Sequence, residues 1–136
     1  MTCIYCGGKT GVTNSRPQKR SNHVWRRRQC LRCKAVFTTH EAIDLGSALL
    51  VSRNKTPEPF YEHLLYAEVL LALKGYKDRY SAAREITSTI IKELLKLPQE
   101  PIYTPKQISL AAGVVLSRLN KQAYLRYVAE HPSLQR

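Results

Sequence analysis

The sequence predicts an α+β protein in two parts. A small N-terminal ribbon covers residues 1–45, and a mainly helical domain with one or two short strands covers residues 46–136. Three observations predict this. Two Cys-x-x-Cys pairs, Cys3/Cys6 and Cys30/Cys33, both fall in the first part, separated by 23 residues. Residues 1–40 hold nine Lys and Arg and no acidic residue, whereas the rest of the chain holds thirteen basic and ten acidic ones. From Pro59 onward apolar residues recur at helical spacing. At 43% apolar and 24% charged residues, the composition is globular and excludes disordered, collagen-like and membrane-embedded classes. The longest apolar stretches, Val69–Leu73 and Leu110–Leu116, fall short of the ~18 residues needed to cross a bilayer. The N-terminus lacks the basic flank and apolar core of an export signal. A cytoplasmic protein is expected.

In the first part, a two-residue gap lets both sulfurs of one pair reach a single ion. Two such pairs complete the tetrahedral four-thiolate set that Zn2+ prefers in structural sites, with Cys3, Cys6, Cys30 and Cys33 as ligands. Gly7-Gly8 supplies the permissive backbone of a tight metal-binding turn. Two disulfides, an iron–sulfur cluster or a redox pair also fit four cysteines, and His23 or His40 offers a replacement ligand. A reducing compartment disfavours the disulfides, and four thiolates suffice without histidine. A segment of about 45 residues buries too little apolar surface to offset its conformational entropy, so the metal has to provide much of its folding free energy.

Between the cysteine pairs lies the densest charge, His23-Val24-Trp25-Arg26-Arg27-Arg28-Gln29. As a strand, it puts Arg26 and Arg28 on one face with Val24, and Arg27 on the other with Trp25. Arg16, Lys19 and Arg20 are expected around a preceding turn marked by Pro17, with Lys34 beyond the second cysteine pair. No carboxylate is nearby in sequence, so these cations are open to phosphate oxygens and base edges. A basic run alone is often just a solvated face. Carried on a metal-held hairpin and containing an aromatic, it points to nucleic acid. Trp25 fits equally well as a core residue of the ribbon.

In the second part, residues 47–52 read as a short strand followed by a polar turn over residues 53–57. From Pro59 a helix is predicted with the stripe Phe60, Leu64, Ala67 and Leu71, widened by Leu65, Val69 and Leu73 and closed by Gly75. A second helix follows Ser81 as N-cap, buries Ile86, Ile90, Ile91 and Leu94, and ends before Pro98. Thr104, Pro105 and Gln107 form a capping box opening a third, with Ile108, Ala111, Ala112, Val115, Leu116 and Leu119 inward. A last helix covers about Lys121 to Glu130. The part has no cysteine and no clustered carboxylates, so no catalytic constellation is legible and no enzyme is expected.

This order of parts resembles the NrdR family, repressors of ribonucleotide reductase genes that join a zinc ribbon to an ATP-cone. The resemblance rests on Cys3-x-x-Cys6-Gly7, Asn14-Ser15-Arg16-Pro17, Arg26-Arg27-Arg28-Gln29-Cys30, Cys33 and Phe37-Thr38-Thr39-x-Glu41. Further along it rests on Leu50-Val51, Glu58-Pro59-Phe60 and Ala123-Tyr124-Leu125-Arg126-Tyr127. It implies a zinc ribbon followed by an ATP-cone-like regulatory and oligomerisation domain. The protein would then be a repressor that reads paired boxes in double-stranded DNA as a homo-oligomer, dimer or higher, its assembly set by ATP or dATP. Arg16 and Arg26–Arg28 would lie at the DNA, with Lys19, Arg20 and Lys34 on phosphates. Val51, Arg53, Lys55, Glu58 and Tyr124 would form the nucleotide site.

The departures from the family pattern cluster where phosphates would bind. The usual Lys-Arg-Asp-Gly turn is here Ser52-Arg53-Asn54-Lys55, and the usual Lys of the first cone helix is Leu64. The family's Lys-Arg-Pro is not evident in residues 75–80. Each missing ammonium removes a charge-assisted contact of about 1.5–3 kcal/mol. Two such losses weaken affinity roughly a hundredfold or more, with Lys55 restoring part of the field. Alternatives are an RNA or single-strand binding ribbon, a nucleotide-insensitive DNA-binding oligomer, and an adaptor that binds a reductase subunit.

Overall fold

The computed structural model describes residues 1–20, 22–97 and 102–134. The chain divides into two compact units, Met1–Asp44 and Leu45–Arg136.

The first unit is a three-stranded antiparallel sheet in the order β1-β2-β3, with β1 Thr10–Gln18, β2 His23–Cys30 and β3 Val36–Glu41. The strand read from His23 onward is there, but Pro17 does not mark a turn. It lies inside β1 opposite Val24, where an edge strand tolerates its missing N–H. Arg16 therefore also belongs to the strand, and the turn follows Gln18. The β1–β2 register shifts between Val12 and Asn14, so that Asn14 faces Arg27, Ser15 faces Arg26 and Arg16 faces Trp25. Of the aliphatic and aromatic side chains in this unit, none is fully buried; its buried residues are Cys3 and Cys30.

The second unit opens with a single helical turn, α1 Leu45–Ala48, where a strand was expected from Ser47; the strand β4 runs only over Leu50–Arg53. Asn54 and Lys55, both at positive φ (49° and 67°), form the two-residue turn whose twist suits a hairpin. The chain returns as β5 Thr56–Pro59, so Pro59 closes a strand and does not open a helix. The third strand, β6 Ile102–Tyr103, pairs with β4 in parallel, giving the order β5-β4-β6. Sequence reading missed it, because two residues paired across some fifty others carry no local period.

Helix α2 spans Glu62–Ala72. Its inward face is Leu65, Val69 and Ala72, followed by Leu73, while Leu64 and Leu71 are exposed at 45% and 72%. The expected stripe is thus displaced, because Phe60 is buried from outside the helix and cannot set its phase. Gly75, at φ +87°, sits in the turn beyond it. Helix α3, Arg79–Leu95, starts two residues before Ser81 with Asp78 as N-cap, and buries Ile86, Ile90, Ile91 and Leu94 as expected. Its expected stop at Pro98 lies outside the described residues. Helix α4, Pro105–Leu119, carries the predicted Thr104–Gln107 capping box, although Leu119 faces outward. Helix α5 is Lys121–Glu130, followed by a short 3-10 turn at Pro132–Leu134. Leu65, Val69, Ile90, Leu94, Leu116 and Tyr127 form the centre of one apolar core. No helix among the described residues is long and apolar enough to cross a membrane.

Candidate metal centre and nucleic-acid interface

The two cysteine turns are built alike. In the first, the Gly7 N–H donates to the Cys3 carbonyl (2.9 Å) and the Cys3 N–H to the Gly8 carbonyl (2.8 Å). In the second, the Lys34 N–H donates to the Cys30 carbonyl (3.2 Å) and the Cys30 N–H to the Ala35 carbonyl (2.9 Å). Both turns need a left-handed residue after the second cysteine, supplied by Gly7 (φ +69°) and Lys34 (φ +63°). Gly8 suits its position for a different reason: a Cβ there would lie 3.0 Å from the Arg32 Cβ and 3.3 Å from the sulfurs of both Cys6 and Cys30.

These turns bring the four sulfurs within 4.8 Å of one another. Cys3 and Cys33 are 3.7 Å apart, and Cys6 and Cys30 3.5 Å. A tetrahedron with Zn–S bonds of about 2.3 Å has sulfur–sulfur edges of about 3.8 Å, so the set fits one zinc ion. Backbone N–H groups of Tyr5, Arg32 and Cys33 point at Cys3 and Cys30 sulfurs over 3.3–3.4 Å. The N–H of Cys33, with that of Arg32 behind it, holds the Cys30 thiol down to about 6 against the opposing effect of burial. For Cys33 the Ala35 N–H pulls downward, but the Cys6 sulfur, burial and the sulfurs of Cys30 and Cys3 outweigh it and push the thiol up to about 11. Sulfurs this close resist sharing negative charge, and a divalent cation at their centre removes that resistance. His23 and His40 stand apart from this cluster as an edge-to-face pair, ring centroids 4.8 Å apart.

The arginines divide between the two faces of the sheet. Arg26 is not open as its sequence surroundings suggested: its Nη2 lies 2.9 Å and its Nε 3.1 Å from Oε2 of Glu41. Arg28 Nε donates to the Thr39 hydroxyl (3.1 Å). Glu41 was missed because the pairing is made by register, Val24 opposite Glu41, and not by nearness in sequence. The other face carries Arg16 and Arg27, whose guanidinium groups have no partner among the described residues, beside Trp25 and His40. Lys19 and Arg20 are exposed just beyond β1. Lys34 turns back on its own knuckle, its Nζ 3.0 Å from the Leu31 carbonyl.

In the second unit, Val51, Arg53 and Glu58 come together around a cavity of about 40 Å³ that Phe60, Tyr61 and Glu68 also line. Lys55 and Tyr124 do not line it. Lys55 sits at the hairpin tip, and the Tyr124 ring packs beside Gly113, where an added Cβ would lie 3.6 Å from it. Glu68 is a further residue that sequence reading missed. Its carboxylate lies 3.5 Å from the Tyr127 hydroxyl and 3.6 Å from His131 Nε2.

A family model described as the N-terminal domain of transcriptional repressor NrdR-like proteins matches residues 1–41. Over 130 residues the chain is 32% identical to the transcriptional repressor NrdR of Thermus thermophilus, a match covering 95% of this chain and 82% of that one. The chain belongs to the NrdR family. The NrdR of Rhodospirillum centenum is 31% identical over 130 residues, covering 95% of this chain and 84% of its own length. That of Bordetella petrii is 29% identical over 136 residues, covering 99% and 85%. The four clustered sulfurs thus lie within the NrdR-like N-terminal domain, and their geometry fits one structural zinc ion.

Proposed function

We propose that this NrdR-family chain is a zinc-dependent, sequence-specific transcriptional regulator that binds double-stranded DNA in the cytoplasm. In this reading it represses ribonucleotide reductase genes as a homo-oligomer. The observation that carries it is the sheet face on which Arg16 and Arg27 stand, beside Trp25, without an acceptor among the described residues. The relatives' name, transcriptional repressor, supports the same reading. Guanidinium groups pair bidentately with guanine edges, each contributing about 1–3 kcal/mol of discrimination. Lys19 and Arg20 supply phosphate contacts that weaken with salt. Arg26 orders the sheet through Glu41 and contributes less to readout. One ribbon reaches too few base edges for high specificity, so copies of the chain act on spaced half-sites.

The test begins with duplexes selected by the protein from a random pool. Arg16→Ala and Arg27→Ala are each expected to lower the preference for the selected site over a scrambled duplex by about 1–3 kcal/mol. Arg26→Ala is expected to keep most of that preference. Equal or tighter binding of matched RNA or single strands, or full preference in the Arg16/Arg27 double variant, would refute the assignment.

A further inference from the structure

We infer that the helical unit of this chain does not hold a nucleoside triphosphate, so that its assembly and its DNA affinity are set without ATP or dATP. The part concerning DNA affinity rests on the function proposed above; the part concerning binding does not.

Size is the first ground. The cavity at Val51, Arg53 and Glu58 has a volume of about 40 Å³, room for one or two waters. A second one in this unit, at Lys74, Asn120 and Arg126, has about 100 Å³, with Arg126 already donating to the carbonyls of Ala72 and Lys74. Sites for ligands of nucleotide size run to about 300–1,000 Å³.

Charge is the second. Among the described residues lining the cavity, Arg53 is the only Lys or Arg, and it stands against the two carboxylates of Glu58 and Glu68. Arg53 is already engaged, its Nε 3.7 Å from Glu58 Oε2. Glu68 lines the cavity, and its carboxylate also lies 3.5 Å from the Tyr127 hydroxyl and 3.6 Å from His131 Nε2. A triphosphate entering here would have to break the Arg53–Glu58 pair and then share the site with both carboxylates.

The hairpin is the third. The family resemblance places ammonium groups at positions 52 and 64, and this chain has Ser52 and the half-exposed Leu64 there. Lys55, the nearest replacement, occupies a left-handed position at the turn (φ 67°) and does not line the cavity. Losing two charge-assisted contacts lowers affinity about a hundredfold or more before the carboxylates are counted.

The experiment uses the full-length, zinc-loaded protein, with zinc content and helical circular dichroism recorded on each sample. ATP and dATP, each with magnesium, are titrated to about 1 mM by calorimetry while light scattering reports mass. Affinity for a selected duplex is then measured with and without nucleotide. No saturable heat, an unchanged mass and a duplex Kd constant within about twofold are expected. Saturable heat with a Kd below about 100 μM, or a change in mass or duplex affinity with nucleotide, would overturn the inference. Loss of duplex preference in the absence of nucleotide would sink the proposed function and leave the absence of triphosphate binding standing.

Discussion

Removing zinc should unfold the first unit and leave the second intact. In residues 1–44 the buried side chains are those of Cys3 and Cys30, and no Val, Leu, Ile or Phe joins them. The sheet is thus held by ladder hydrogen bonds and the four sulfurs. Structural zinc sites bind with apparent free energies of about 10–16 kcal/mol. That range matches or exceeds the ~5–15 kcal/mol by which whole domains are stable. A sheet without an apolar core has nothing to replace it. The helical unit, by contrast, keeps an apolar core running from Val69 through Ile90 to Tyr127. The chain has one tryptophan, Trp25, half-buried on β2, so its emission reports the ribbon alone. Adding a strong chelator should shift that emission to the red and abolish amide protection over residues 10–41, while ellipticity at 222 nm falls little. Restoring zinc should reverse both. If the metal leaves and Trp25 emission does not move, the claim that zinc supplies the ribbon's folding free energy is wrong. Loss of the helical signal in the same step would show that the second unit does not stand on its own core.

Three further outcomes follow from single side chains. Arg126 Nη1 donates to the carbonyls of Lys74 (2.6 Å) and Ala72 (3.4 Å) at the C-terminal end of α2, so Arg126→Met should cost about 1 kcal/mol in urea unfolding. Burial first, and then the charge of Glu68, pushes the Tyr127 phenol above its ordinary value of 10.0. The folded state therefore holds that proton more tightly than the unfolded chain does. Stability present below pH 10 is lost as pH rises past it, and Tyr127→Phe should flatten the decline measured from about pH 10 upward. The buried Thr87 hydroxyl has no hydrogen-bond partner among the described residues, so Thr87→Val should raise stability by about 1 kcal/mol, read from the thermal midpoint.

What the sequence made legible was local. Thr104 and Gln107 lie three residues apart and satisfy each other's backbone (2.7 Å and 3.3 Å), so their box could be read without knowing the fold. The same holds for the two cysteine pairs, whose spacing and following residues, Gly7 and Lys34 at positive φ, build the turns locally. What stayed hidden depends on partners distant in sequence. Glu41 finds Arg26 only because β3 pairs with β2. The inward face of α2 is set by α3 and α5 and not by Phe60, which is why Leu64 and Leu71 were misplaced. Ser81 lost the cap to Asp78 because α3 began one turn earlier than its apolar pattern.

The register irregularity near Thr13 ties these levels together. If β1 paired with β2 without it, Arg16 would face Val24 and share the side of Arg26, Arg28 and Glu41. With it, Arg16 faces Trp25 and shares the side of Arg27. One extra residue in an edge strand moves a side chain to the opposite face. It thereby joins Arg16 to the face of Arg27, away from Arg26 and its carboxylate partner. The knuckles fix where this counting starts: Cys30 closes β2, and Thr10, opposite it, follows Cys6 by four residues. Zinc therefore does more than supply free energy to a sheet that lacks a core. By holding the Cys30 end of the ladder, a zinc ion would fix the point from which the irregularity at Thr13 sets the face of Arg16.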